Sequence, residues 1–386
     1  MSKLHFVGTL LLLPLLWMNS TQAAVKKKVK KNMEHILKHT IPGNPRNSEG
    51  SFVKLADGTL FFAYSRYNET SSGDHAAADI AAVISKDNGA SWSAPFIVRK
   101  NTKMNLMSVS LLRLQNGRIA MVYLEKSAIP GWENFVDCRP KIIFSDDETR
   151  SWSEPVEIAN VPPAYLVVNN DRLIQLKSGR LLIPAAHHMY DDGRLGDGIL
   201  KFFISDDNGL TWRTGKNYIY PTPNLSRGLM EPGVVELSDG KVMCFIRTAA
   251  GCQYKAFSHD GGESWSIAIP APEFISPESP MSIKRAPVSG KLYAIWNDYN
   301  ALRSVRITNR RWSRTPLVLA ESADDGATWT NHRILEDSPT NGYCYIAMFF
   351  NGDRLHLGYC CGGEPDCTST LQETKLCSVT VDGGTL

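Results

Sequence analysis

The sequence predicts an all-β fold, a six-bladed β-propeller, from two interleaved repeats and the lack of any long helical period. The first repeat reads Ser-x-Asp-x-Gly-x-Ser/Thr-Trp and occurs at Ser85 to Trp92, Ser145 to Trp152, Ser205 to Trp212, Ser258 to Trp265 and Ser322 to Trp329. Only the second copy departs, with Thr149 in place of Gly. An Asp that accepts backbone N–H bonds, a Gly at positive φ and a Trp packed on its own hairpin describe a turn, so none of these residues is assigned chemistry. The second repeat is a polar turn with Gly followed by an alternating apolar strand, at Gly58, Gly117, Gly179, Gly240, Gly290 and Gly352. Six turns about 50 to 60 residues apart match the length of a four-stranded blade. No segment carries a sustained 3.6-residue apolar period, so helix should be scarce.

Taken in order, the chain opens with Lys3, an apolar run from Leu10 to Met18 and the small residues Thr21 to Ala24. These are the zones of a secretory signal peptide over residues 1–24, which implies a secreted or periplasmic protein with its mature start near Val25. The apolar run is shorter than the roughly 20 residues that span a bilayer, so no membrane span is expected in the mature chain. Residues 25–43, with Lys26 to Lys31, read as a basic, frayed leader. Residues 44–386 are the expected propeller domain, its last blade completed by strands from both ends of the chain, which removes two exposed edges.

A chain of 386 residues that is 43% apolar can bury a large core, and the repeats favour one domain. The net charge of +3, diluted by 39 acidic residues, argues against nucleic acid or a membrane surface as partner. An acidic ligand must therefore meet a local cluster of cations. Eight cysteines leave room for one or two bridges, and the lack of paired C-x-x-C motifs argues against zinc.

Three arginines stand at the ends of apolar strands: Arg46 in Asn44-Pro45-Arg46-Asn47, Arg247 in Phe245-Ile246-Arg247-Thr248 and Arg314 in Ser313-Arg314-Thr315. A lone Arg is ordinarily a solvated charge. The Ser-x-Asp-x-Gly-x-Thr-Trp turns, however, resemble the Asp boxes (BNR repeats) of the sialidase, or neuraminidase, superfamily, and the resemblance covers about residues 44 to 380. It implies a six-bladed propeller in which arginines of blades one, four and five, here Arg46, Arg247 and Arg314, converge on a substrate carboxylate through bidentate forks. It adds Arg66 as a further binding residue.

The same resemblance implies three catalytic residues. Asp74, in the loop Ser71 to Ala76, is the acid/base; Asp79 is its rival, and His75 either tunes Asp74 or is a plain loop residue. Glu231, in Met230-Glu231-Pro232-Gly233, is the base for a nucleophilic tyrosine in Tyr343-Cys344-Tyr345. Register with the family favours Tyr345, with Tyr343 as the alternative because residues two apart on a strand point the same way. Two departures stand out. The family's Arg-Ile-Pro reads Arg46-Asn47-Ser48, and the glutamate that steadies the first arginine is replaced by Tyr359-Cys360-Cys361, which leaves Glu49 or Glu364 as substitutes. Further candidates for the binding face are Asn105, Met107, Cys138, Arg139, Asn170, Asp171, Arg172, His187 and His188.

The activity implied is release of terminal sialic, or other acidic, sugars from glycoconjugates with retention, through a tyrosyl intermediate and without metal or cofactor. The expected partners are sialylated or other acidic glycans. Two other readings stay open: a carbohydrate-binding propeller without catalysis, and a glycosidase or lyase acting on uronate-containing polysaccharide.

Overall fold

A computed structural model describes residues 27–39, 42–191, 194–300 and 313–381, so the expected signal peptide lies outside the described residues. Within them the chain is strand and turn, without α-helix. No helix there is long and apolar enough to cross a membrane.

The turn repeats fold as their chemistry dictates. In Ser205 to Trp212, the Asp207 carboxylate accepts from Thr211 N–H at 2.9 Å and from Thr211 Oγ1 at 2.5 Å, while Gly209 N–H donates to Ser205 Oγ at 2.8 Å. Trp212 Nε1 then closes the turn on the Gly209 carbonyl at 3.0 Å. Thr149, in the copy without glycine, still takes a φ of 70° and donates to Ser145 Oγ at 2.8 Å. The six hairpin glycines all sit at positive φ, from 65° at Gly352 to 94° at Gly179, where a side chain would be strained.

Between these turns, runs such as Leu60-Phe61-Phe62-Ala63-Tyr64 suit a strand buried on both faces. The first sheet contains Asn47–Lys54, Leu60–Tyr67, Ala78–Ser85 and Phe96–Arg99 in antiparallel order. A nine-stranded sheet follows. It consists of two meanders, Asn105–Arg113 to Trp132–Ser145 and Leu181–Asp191 to Arg213–Thr214, bridged by Tyr165–Val167, which is parallel to the first and antiparallel to the second, with the two-residue strands Val156–Glu157 and Ile174–Gln175 added at the side of each. Met230–Glu236 to Ile269–Ile275 make the next sheet, Ser282–Arg285 to Thr330–Glu336 the one after it, and Asn341–Asn351 to Glu373–Thr380 the last.

Apolar clusters fill the gaps between neighbours. Phe61 and Ala63 meet Leu106 and Met121, Tyr343 and Leu357 meet Tyr293 and Leu319, and Phe52, Phe62 and Tyr64 meet Ala347 and Leu376. The last sheet thus packs on the first. Phe62 is fully buried with its ring 4.5 Å from that of Phe52, and burying such a side chain contributes about 1.5–3 kcal/mol.

The basic leader is not frayed where it is described. Asn32–Leu37 is the outer strand of the last sheet, antiparallel to Glu373–Thr380, and Lys27–Lys28 runs parallel to Thr330–Glu336. Charge explains the docking: Lys31 Nζ reaches Glu336 at 2.5 Å and Lys28 Nζ reaches Asp337 at 2.7 Å. The last sheet therefore combines strands from both ends of the chain. The eight cysteines are free thiols, so the bridges for which the sequence leaves room are not formed.

One short segment ties the inner strands together. Asn170 Nδ2 donates to the carbonyls of Gly50 and Tyr345 at 2.8 and 3.1 Å. Asp171 accepts from Ser51 Oγ, Lys284 Nζ and Met348 N–H at 2.7–2.9 Å, and Arg172 donates to Met281 O and Ser282 Oγ at 2.8 and 3.2 Å. These candidate ligand contacts are instead the scaffold that fixes Tyr345 from behind.

Candidate active site

Four innermost strands carry the same irregularity. The pairing register slips between Ser48 and Ser51, Met107 and Ser110, Met230 and Gly233, and Cys344 and Ala347. Each slip holds a non-glycine residue at positive φ: Glu49 at 57°, Ser108 at 59°, Glu231 at 41° and Tyr345 at 57°. A bulge of this kind breaks the two-residue alternation and re-aims one side chain. All four residues line one cavity of about 340 Å³. Holding each in this backbone region costs on the order of 1–3 kcal/mol, which the surrounding clusters offset.

The bulge separates the two tyrosines that alternation would align. Tyr343 turns into the core, 6.2 Å from the Tyr359 ring, and its N–H donates to the Arg314 carbonyl at 2.8 Å. Tyr345 faces the cavity and donates its hydroxyl to Glu231 Oε1 at 2.9 Å. The other oxygen, Glu231 Oε2, accepts from Arg247 NH1 at 2.5 Å. Arg247 lines the cavity and also reaches Glu278 Oε1 at 3.3 Å. Arg314 stands over the Tyr345 ring, 5.5 Å from its centroid, with NH1 on Cys344 Sγ at 3.0 Å.

Arg46 is buried behind the opposite wall. Its NH1 donates to Asp74 Oδ1 at 2.6 Å and to Ser72 O at 3.2 Å, its NH2 to Glu49 Oε1 at 2.9 Å and its Nε to Ser48 Oγ at 2.9 Å. The open choice between Glu49 and Glu364 is thereby resolved: Glu49 partners Arg46, and Ser108 Oγ donates to the other carboxylate oxygen. Lys126, also buried, holds the Asp74 carbonyl through Nζ at 2.7 Å and so fixes the loop that carries this exposed acid.

The electrostatics separate the two members of the Tyr345–Glu231 pair. Burial favours protonated Glu231, but Arg247, Arg314 and the Tyr345 hydroxyl outweigh it and hold the carboxyl below its ordinary range. For Tyr345, burial and then the Glu231 charge push the phenol well above its ordinary value, against the pull of Arg247 and Arg314. The pair rests as phenol and carboxylate. Although the Asp74 side chain is largely exposed, partial desolvation where its Oδ1 meets Arg46 acts to raise it, yet Arg46 and Lys126 bring it below the usual carboxylate value.

Arg66 lies one strand over from Arg46. Its strand neighbour Tyr67 lays its ring under the Arg46 guanidinium, 4.6 Å away, and Arg66 itself, half-buried, pairs in register with Asn47 beside Arg46. Asp79, the rival acid, is buried and bonded to Asn68 Nδ2 at 2.8 Å and Asn101 N–H at 2.7 Å, a structural role. Met107, Cys138, His75 and His188 line the cavity, whereas Arg139 turns to Asp137 at 2.7 Å. Sequence reasoning missed Lys126, Glu278, Ser108 and Tyr165. A lysine inside the apolar run Ile119 to Leu124 and its continuation was a usable signal; Glu278, in a polar loop, offered none.

The family of the BNR repeat-like domain matches residues 58–357. The chain belongs to the sialidase superfamily with BNR repeats. A curated sialidase of Paraclostridium sordellii is 25% identical over 245 residues, which is 58% of this chain and 58% of that protein's length. Among solved structures, a protein of unknown function from Dyadobacter fermentans superposes with a TM-score of 0.72 at 19% identity, covering 92% of this chain and 99% of that one. A Hadza microbial sialidase gives a TM-score of 0.68 at 17% identity, covering 90% of this chain and 68% of that one. These likenesses show a sialidase-type all-β fold.

Proposed function

We propose that the chain is a six-bladed propeller glycosidase that releases terminal acidic sugars, sialic acids foremost, with retention of configuration. The observation that carries this reading is the 2.9 Å hydrogen bond from the Tyr345 phenol to the Glu231 carboxylate, inside a cavity flanked by three buried or half-buried arginines. A carbohydrate-binding propeller would use the arginines but has no need of a phenol paired with an ionised base. A curated relative that it matches is named a sialidase. Counting the nine-stranded sheet as two meanders brings the sheets to six.

The chemistry follows from charge. An anomeric carbon that bears a carboxylate repels an anionic nucleophile, so a neutral phenol that surrenders its proton only during attack approaches it better. Tyr345 Oη bonds to that carbon while its proton passes to Glu231 Oε1, and the glycosidic oxygen leaves with the Asp74 proton. Water then attacks the same carbon, Asp74 takes its proton, and Glu231 returns a proton to Tyr345. Arg46, Arg247 and Arg314 clamp the sugar carboxylate. Arg46 NH1 donates to Asp74 Oδ1 at 2.6 Å, so the incoming carboxylate displaces that acid. Losing the Arg46 charge to the substrate raises Asp74 and readies it to donate.

We also assign the protein to an extracytoplasmic location through residues 1–24. The test of function is release of sugar from sialyl-lactose and from a panel of uronate glycans, with a 2,3-difluoro acidic sugar as trap. Label on the peptide bearing Tyr343 and Tyr345 is expected. Label on neither tyrosine, or cleavage of uronates alone, would overturn the proposal.

A further inference from the structure

Outside the cavity, three side chains with metal-binding donors meet where the two ends of the chain are joined. His39 follows the outer strand Asn32–Leu37, Cys367 sits in the turn after Arg354–Gly363, and Glu373 opens Glu373–Thr380. His39 Nδ1 is 3.0 Å from Glu373 Oε1 and 3.9 Å from Cys367 Sγ, and all three donor atoms lie within 4.8 Å of one another. We propose that these residues form a zinc site that clips the N-terminal strand to the last sheet.

The donor set selects the ion. A thiolate and an imidazole disfavour calcium and magnesium, which take oxygen ligands, and suit a borderline-soft divalent ion such as zinc. Zinc bonds of about 2.0 Å to nitrogen or oxygen and about 2.3 Å to sulfur put tetrahedral ligands about 3.3–3.6 Å apart. The separations of 3.0 and 3.9 Å fall either side of that range, so modest side-chain rotation accommodates the ion. Three protein ligands leave a fourth position for water.

Two ligands sit on backbone already held in place. Cys367 N–H donates to the Gly363 carbonyl at 2.8 Å, and Glu373 pairs in register with Cys361. Cys367 and Glu373 are buried, and the His39 side chain is 14% exposed, so the ion is partly shielded from competing water. His39 follows a strand from the opposite end of the chain, and among the described residues that strand pairs with Glu373–Thr380 alone. A metal bond between them adds to the folded state alone and stabilises the junction by mass action. None of the three residues lines the cavity, so the site is independent of the proposed activity.

The experiment uses the full chain, stripped with chelator and titrated with zinc alone. One zinc per chain is expected, with a rise in Tm, and cobalt substitution should give the visible bands of a tetrahedral ion and a thiolate-to-cobalt band in the near ultraviolet. Cys367→Ser and Glu373→Gln should weaken zinc binding by about 100-fold, while Cys252→Ser should leave it unchanged. The absence of zinc binding at micromolar concentration, or wild-type affinity in Cys367→Ser, overturns the proposal in favour of a plain His39–Glu373 ion pair. Should the variants fail to fold, the wild-type cobalt spectrum decides, since a spectrum without the thiolate band overturns it equally.

Discussion

Replacing Tyr345 with Phe deletes one oxygen and leaves the ring beneath Arg314. The deleted group donates one hydrogen bond, at 2.9 Å, to a carboxylate that keeps Arg247 at 2.5 Å. Glu231 is therefore not orphaned, and the loss of stability should stay near the 1–3 kcal/mol of a single charge-assisted bond. No arginine contact changes, so the affinity for an acidic sugar should remain within about threefold, less than 1 kcal/mol. Turnover is another matter. Without the phenolic oxygen the covalent route is closed, and kcat should fall by at least about 1,000-fold, or about 4 kcal/mol of barrier. The assay pairs calorimetric binding of an acidic sugar with kcat on an aryl glycoside, and thermal melting checks the fold. A kcat within tenfold of wild type, or binding lost in parallel with turnover, would refute the reasoning.

Asp74→Ala should lose about 100-fold or more on natural glycans, whose leaving oxygen needs a proton, and much less on aryl glycosides; equal losses on both would remove Asp74 from acid catalysis. Arg314→Ala should weaken acidic-sugar binding by about 2–4 kcal/mol, and Arg314→Lys should restore little of it because an ammonium cannot form the fork; full rescue by lysine in a titration would contradict a bidentate contact. Burial lowers His356 from its ordinary 6.5 to about 4, with its Nε2 3.0 Å from Asn88 Oδ1. The unfolded chain then binds the proton more readily, so this stabilisation is complete above pH 6.5 and is lost as the pH falls to about 4. Its full extent is about 3 kcal/mol, and denaturant melts of His356→Gln should show a flatter acid limb than wild type; an unchanged slope would exclude His356 as the source.

The turn chemistry was legible because it is local: the Asp and Gly of each box act on backbone within eight residues. The order of Arg46, Glu231, Arg247, Arg314 and Tyr345 was legible through the family pattern. Alternation failed at the bulges, where it aligned Tyr343 with Tyr345. Glu49 as the partner of Arg46 could only be left as an option, because a positive φ at a glutamate has no signature in composition. The docking of Lys27–Lys28 and Asn32–Leu37 depends on acids some 300 positions away, such as Glu336 and Asp337, and the meeting of His39 with Cys367 and Glu373 depends on the same long closure.

The four bulges have a consequence for how such a cavity can change over evolutionary time. Each is a separate mount of the same shape, built into a different sheet and backed by apolar clusters packed between the sheets. Exchanging the side chain on one mount leaves the others in position, because the backbone conformation is imposed from behind rather than by the residue it displays. Glu49, Ser108, Glu231 and Tyr345 can therefore be altered one at a time, and a descendant with another acidic ligand, or with binding and no turnover, lies a few substitutions away without any rebuilding of the frame.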